Sequence, residues 1–166
     1  MKLSGEILIN VPASDVWHIL AHQFDRIGEW SSGIEQSTPN LNAIKLDDAP
    51  MAGRVCNVPA FGKIEETFIA YDEQAKTYMY KARVGLPFFV TSAQNSWQVN
   101  AIDANTCSVR FDAELILIPF VGVILAIPMR IRLARIIKDV TEELKYYAET
   151  GAIHPRKQRL IALAKT

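Results

Sequence analysis

The chain has no surplus of either charge. Its 166 residues hold 18 Lys and Arg against 18 Asp and Glu, a formal net charge of +0 at pH 7. No long-range field draws in a polyanion, which argues against nucleic acid as a partner. Cysteine is scarce. Cys56 and Cys107 are the only two, they lie far apart, and neither sits in a CxxC or Cys/His spacing. A disulfide scaffold is therefore not expected; two buried free thiols in a reducing compartment are. The opening MKLSGEILIN alternates polar and apolar residues and lacks the continuous apolar core of a signal peptide. The expected location is cytoplasmic. Nucleophile elbows, phosphate loops and zinc patterns are missing as well.

A hydrophobic run long enough to cross a membrane is also lacking. The most apolar stretch, Leu115 to Met129, reads LILIPFVGVILAIPM and is interrupted by Pro119, Gly122 and Pro128. A spanning helix takes about 20 apolar residues, and internal prolines break such a helix. The run reads instead as a strand ending near Ile118, followed by the buried start of a helix.

What is present is ordinary globular material. Hydrophobic residues make up 49% and charged residues 22%, and the length suits one domain with a sizeable core. Leu3 to Ile9 alternates as a strand. Pro12 ends it, and Ser14 or Asp15 is placed to cap a short helix over Val16 to Ala21. A second short turn, Phe24 to Gly28, leads to Trp30. Ile34 to Thr38 reads as a brief strand, and Pro39 to Pro50 as a polar loop. Five strand-like runs follow: Gly53–Pro59, Lys63–Tyr71, Thr77–Val84, Thr91–Ala101 and Cys107–Ile118. Their short links require antiparallel pairing, because a parallel return needs a dozen or more residues.

After Pro119 the period changes. Ile124, Ile127, Ile131, Ala134, Ile137, Thr141 and Leu144 recur every three or four residues and define one helix face. The helix is expected over Ile127 to Thr150, with Pro128 in its first turn and Gly151 at its stop. Period-two reading places Ile64, Glu66, Phe68 and Ala70 on one face of their strand. Tyr78, Tyr80, Ala82 and Val84 share a face in the next, as do Ala93, Asn95, Trp97 and Val99, then Val109, Phe111, Ala113 and Leu115. One side of the sheet is wet and the other is apolar and aromatic, with the long helix as its cover. This defines an α+β domain over residues 1–151, followed by a basic extension over 152–166.

The succession INVPASDVWHIL, FDRIGEW and GKIEETFIAYDEQAKTYMYKARVGLPF, then a strand leading into a long C-terminal helix, resembles the START-like superfamily. Within it the pattern is most similar to the SRPBCC, polyketide cyclase/dehydrase-like branch. The resemblance covers residues 3–118 by motif and the final helix by position. It implies a helix-grip fold: a curved antiparallel sheet wrapped around a long C-terminal helix, with two short helices after the first strand. It also implies a small hydrophobic ligand, such as a lipid or a polyketide, held over the sheet.

On this reading the cavity lies between sheet and helix. Trp30, Phe68, Tyr80, Trp97 and Phe111 are the expected apolar wall on the sheet side. Ile124, Ile127 and Ile131 are expected from the helix, and Glu66 and Asn95 orient a polar group. A lone carboxylate on an apolar face has its charged form disfavoured, so Glu66, with Tyr80, is the candidate pair for acid–base chemistry of the cyclase or dehydratase type. His18 and His22 are spaced i, i+4, but no third ligand is apparent, so no metal and no cofactor are expected. From Arg130 onward nine basic residues face four acidic ones. That leaves open peripheral membrane contact through the basic end, and a homodimer.

Overall fold

In a computed structural model, which describes residues 1–59 and 61–164 apart from the side chains of residues 120–126, seven strands form one antiparallel, curved sheet. They are β1 (Lys2–Ile9), β2 (Gln36–Pro39), β3 (Gly53–Val58), β4 (Gly62–Asp72), β5 (Thr77–Val84), β6 (Val90–Ala101) and β7 (Cys107–Leu117). The order across the sheet is β1-β7-β6-β5-β4-β3-β2. From β2 to β7 each strand pairs with the next in sequence, as the short links demand. β1 closes the far edge by pairing with β7, Ile7 opposite Val109.

Between β1 and β2 lie α1 (Ala13–Trp17), a π-helical turn (His18–His22), a 3₁₀ turn (Phe24–Arg26) and α2 (Ile27–Trp30). Neither Ser14 nor Asp15 caps α1; Pro12 occupies the N-cap position and Ser14 Oγ bonds Asp15 instead. Trp17, Leu20 and Phe24 turn inward and meet an aromatic cluster on the sheet. Phe24 lies 4.4 Å from Phe68, Phe68 lies 5.2 Å from Tyr78, and Trp17 lies 5.7 Å from Tyr78. The Tyr78 hydroxyl donates to the Leu20 carbonyl at 3.1 Å, which satisfies the one polar atom of that buried ring.

α3 (Pro119–Thr150) packs over the inner face of the sheet, and α4 (Pro155–Leu163) follows. α3 starts earlier than the apolar period predicts. Pro119 takes the first helical position, where a missing N–H costs nothing. Pro128 therefore lies inside the helix instead of in its first turn. It is exposed, so water can serve the backbone group left without a partner. Gly151 ends α3 in the left-handed conformation, φ 68°, as expected. Gly5 marks where α3 crosses β1: a Cβ there would stand 2.5 Å from Ile137 Cγ2.

Two side chains leave their expected faces. β4 carries a register shift between Phe68 and Ala70. One extra residue reverses the alternation, so Ala70 is exposed and Tyr71 turns in against Trp17. Val84, at the end of β5, is also exposed. On α3 the buried stripe runs through Leu133, Ile137, Val140 and Leu144. Ile127 and Ile131 stay exposed, because they lie on the side of α3 turned away from Met129 and Leu133, which face the cavity.

Candidate ligand cavity

The strand register sorts the inner face of the sheet into rows. Tyr78, Trp97 and Phe111 lie side by side on β5, β6 and β7. The next row is Phe68, Tyr80, Asn95 and Ala113, and the one after it Glu66, Ala82, Ala93 and Leu115. Side-chain volume falls from the first row to the third. Opposite them α3 presents Met129, Leu133, Ile136 and Val140. The space left between is a cavity of about 300 Å³. That equals the liquid volume of about ten waters and falls at the lower end of ligand pockets, roughly 300–1,000 Å³. Loop residues Ser31 to Ile34 form a side wall. Phe61 of the β3–β4 turn and Leu86 and Pro87 of the β5–β6 loop border the same end as the start of α3.

Glu66 is not alone on its apolar face. Arg54 stands directly across from it on β3 and donates from Nε to Glu66 Oε2 at 2.6 Å. The side chains are 3% and 13% exposed. Arg54 also donates from Nη1 to the Phe24 carbonyl at 2.8 Å, and its guanidinium lies 3.8 Å from the centre of the Phe24 ring. Burial acts to lower the Arg54 pKa, but Glu66 together with Cys56, Tyr80 and Tyr78 outweighs it, and the net shift is upward. What the cavity wall presents is a hydrogen-bonded ion pair, not a lone carboxylate. Burial pushes the neighbouring Cys56 thiol up to about 12, so it stays neutral and is no nucleophile. Cys107 is likewise buried and unpaired.

Tyr80 is buried, and burial followed by the charge of Glu66 raises its pKa, so the ring keeps its hydroxyl proton. Asn95 has no side-chain hydrogen-bond partner among the described residues. Its amide can therefore both donate to and accept from a bound molecule.

A second polar group closes the opposite side. Glu143, only 1% exposed, accepts from the Ser32 backbone N–H at 2.8 Å and from Ser32 Oγ at 2.5 Å. Arg156 of α4 donates to Glu143 at 3.0 Å, to Asp139 at 2.6 Å and to Glu142 at 2.9 Å. Lys157 is buried and donates from Nζ to the carbonyls of Ile34 at 2.5 Å and Glu35 at 3.3 Å. Burial lowers its pKa, against the raising effect of Glu143 and Glu35. Thus α4 fastens the 31–35 segment that walls the cavity, and these two basic residues of the extension face inward.

The structure brings Glu66, Tyr80, Asn95, Trp97 and Phe111 together on the cavity wall. It removes four expected members. Phe68 is taken up by the aromatic cluster with Phe24 and Tyr78. Trp30 stacks on Tyr147 at 6.3 Å, outside the lining. Ile127 and Ile131 face solvent, and Ile124 lies outside the described side chains. His18 and His22 stack on each other at 5.6 Å and are engaged by Gln23 and Glu73. Arg54 and Glu143 are not expected from the sequence, and Leu133, Ile136 and Val140 read there as the side of a wide apolar arc on the helix, not as cavity lining. Arg54 was legible in part, since alternation in GRVCNV puts it on one face with Cys56. A depression of about 370 Å³ on the outer face of the sheet is lined by paired charges such as Lys2–Glu114 and Arg110–Asp112. Those groups already satisfy one another beside solvent, so the inner cavity is the better candidate for a ligand site.

A curved antiparallel sheet gripping one long helix over such a cavity is the START, or helix-grip, fold. A START superfamily protein from Mycobacterium smegmatis shares it, with a TM-score of 0.72 at 13% identity over 91% of this chain and 99% of that one. XoxI from Bacillus cereus gives 0.70 at 19% identity over 92% and 99%. Norcoclaurine synthase from Thalictrum flavum, in complex with dopamine and hydroxybenzaldehyde, gives 0.57 at 17% identity over 86% and 87%. No curated protein matches the chain. The sequence model of the polyketide cyclase / dehydrase and lipid transport family matches residues 1–149, and the chain belongs to that family.

Proposed function

We propose that the protein binds one small hydrophobic molecule carrying a polar group, in the cavity between the sheet and α3. The carrying observation is the cavity itself: about 300 Å³ walled by Trp97, Phe111, Leu133 and Val140, with Tyr80 and Asn95 on its floor. An apolar space with a few convergent polar groups is the usual form of a small-molecule site. Tyr80 offers a donor and Asn95 both a donor and an acceptor, so a carbonyl or hydroxyl on the ligand would have partners. Membership of a family that includes lipid transport supports the same reading.

Native mass spectrometry of the purified protein tests this by looking for a retained small molecule. An environment-sensitive apolar dye should titrate to one per chain, and Tyr80→Phe with Asn95→Ala should weaken polar ligands more than plain hydrocarbons. Absence of saturable binding across lipids, polyketides and aromatic compounds would refute the reading.

A cyclase or dehydratase-type reaction using Glu66 and Tyr80 is the second reading. Both line one cavity, and norcoclaurine synthase, which shares the fold, is an enzyme. It is the weaker of the two, because Arg54 occupies the Glu66 carboxylate. It requires turnover that Tyr80→Phe removes while dye binding survives.

A further inference from the structure

The end of the molecule that opens the cavity carries exposed apolar side chains. Phe88 in the β5–β6 loop is 83% exposed, Ile127 73% and Ile131 59%. Ile127, Ile131 and Arg135 fall at i, i+4 and i+8 along one stripe of α3, with Arg130 beside it. Phe88 follows Pro87, which lines the opening opposite Met129 and Arg132. From Leu115 to Lys138 the sequence contains no acidic residue. Arg130, Arg132 and Arg135 are exposed and have no carboxylate partner among the described residues; Arg132 rests 5.2 Å from the Phe61 ring. The basic residues of the extension are arranged differently, since Arg156 and Lys157 are used internally.

Isoleucine and phenylalanine side chains interleaved with unpaired arginines match a layer that is apolar inside and anionic outside. Two copies of this face meeting across a two-fold axis would set the arginine row against itself. We propose that the mouth end of the cavity docks on an anionic lipid membrane, with Phe88, Ile127 and Ile131 entering the interface and Arg130, Arg132 and Arg135 on lipid phosphates. Among the described residues no helix is long and apolar enough to cross a membrane, so the contact is peripheral. It would lay the outer side of the α3 start, beside the opening, against the lipid.

Co-sedimentation of the full chain with phosphatidylglycerol-containing and pure phosphatidylcholine vesicles tests this. Binding is expected to the anionic vesicles only and to weaken as salt rises. Arg130→Gln with Arg135→Gln should lower partitioning about fivefold per arginine, about twenty-five-fold together. Ile131→Glu should abolish it. Ile102→Glu changes an equally exposed residue at the opposite end of the sheet, in the β6–β7 turn, and should leave binding unchanged. No association with anionic vesicles, equal association with neutral ones, or binding indifferent to the α3 variants would overturn the proposal. So would a vesicle-free dimer that Ile131→Glu dissociates, since it would show that a second copy covers the face. Dye binding measured without vesicles reads the cavity separately, so failure here and failure of the ligand reading are distinguishable.

Discussion

Glu66→Gln is a stability experiment before it is a functional one. The substitution leaves shape intact and removes the charge facing Arg54, whose guanidinium is 3% exposed and 2.6 Å from the carboxylate. Removing one partner of a buried pair typically costs about 3–5 kcal/mol, because the other charge stays buried without compensation. Gln keeps an oxygen for Arg54 Nε, so the lower end, about 3 kcal/mol, is expected here. In a chain of this length each kcal/mol moves the midpoint by about 2–4 °C, so Tm should fall by about 6–12 °C. Arg54→Met should be worse. It strands the carboxylate and also takes away the donor to the Phe24 carbonyl and the contact with the Phe24 ring. Arg54→Met with Glu66→Leu should recover most of the loss, retaining a deficit of about 1–3 kcal/mol for the Phe24 carbonyl left unmet. Urea unfolding of the parent, Arg54→Met, Glu66→Leu and their double variant gives the coupling energy directly. A Glu66→Gln protein within about 1 °C of the parent, or a double variant as unstable as the sum of the singles, would show that the pair is not the buried unit described above.

Ala82→Leu places a larger side chain in the most open row of the cavity; dye affinity should drop at least about tenfold while Tm holds or rises, which titration and calorimetry check together. Lys157→Met removes the donor to the Ile34 and Glu35 carbonyls; stability should fall by about 1.5–3 kcal/mol, and hydrogen exchange over residues 31–35 should quicken more than in β5 or β6. Burial acts to raise the Glu73 pKa, but hydrogen bonds from Tyr71 and His22 bring it down to about 2. The stabilisation it gives is therefore present above its ordinary value of about 4.3 and lost as pH falls toward 2; Glu73→Gln should flatten that part of an acid-unfolding curve.

Strands were legible where alternation is regular. Thr77–Val84 coincides with its expected span, and the turn signals placed every hairpin. Alternation fails at Ala70 because a bulge is a pairing event between two chains of residues, invisible in either alone. Arg54–Glu66 was hidden for a related reason. Both positions point inward by period, but only the β3–β4 register sets them opposite each other. On α3 the period was right from Ile137 to Leu144 and misleading before it. Isoleucine at Ile127 and Ile131 signals an apolar surface, but the turn of the helix carries it to the side of α3 away from the Leu133–Leu144 stripe.

The location of the cavity follows from a gradient in side-chain size that the sequence carries but does not display. In the row of Tyr78, Trp97 and Phe111, rings fill the distance to the neighbouring elements. In the row of Ala82 and Ala93, methyl groups face α3 and leave it unfilled. Leu133, Ile136 and Val140 are too short to reach down to them. Between the two regimes stand Tyr80 and Asn95, with the Arg54–Glu66 pair beside them. The polar groups thus sit at the depth where close packing gives way to open space. A fully apolar floor there would collapse onto a hydrocarbon ligand or onto itself. On the proposed reading, a floor with fixed dipoles would favour a molecule that is hydrocarbon along α3 and polar at its inner end, and that orientation is what the Tyr80 and Asn95 substitutions measure.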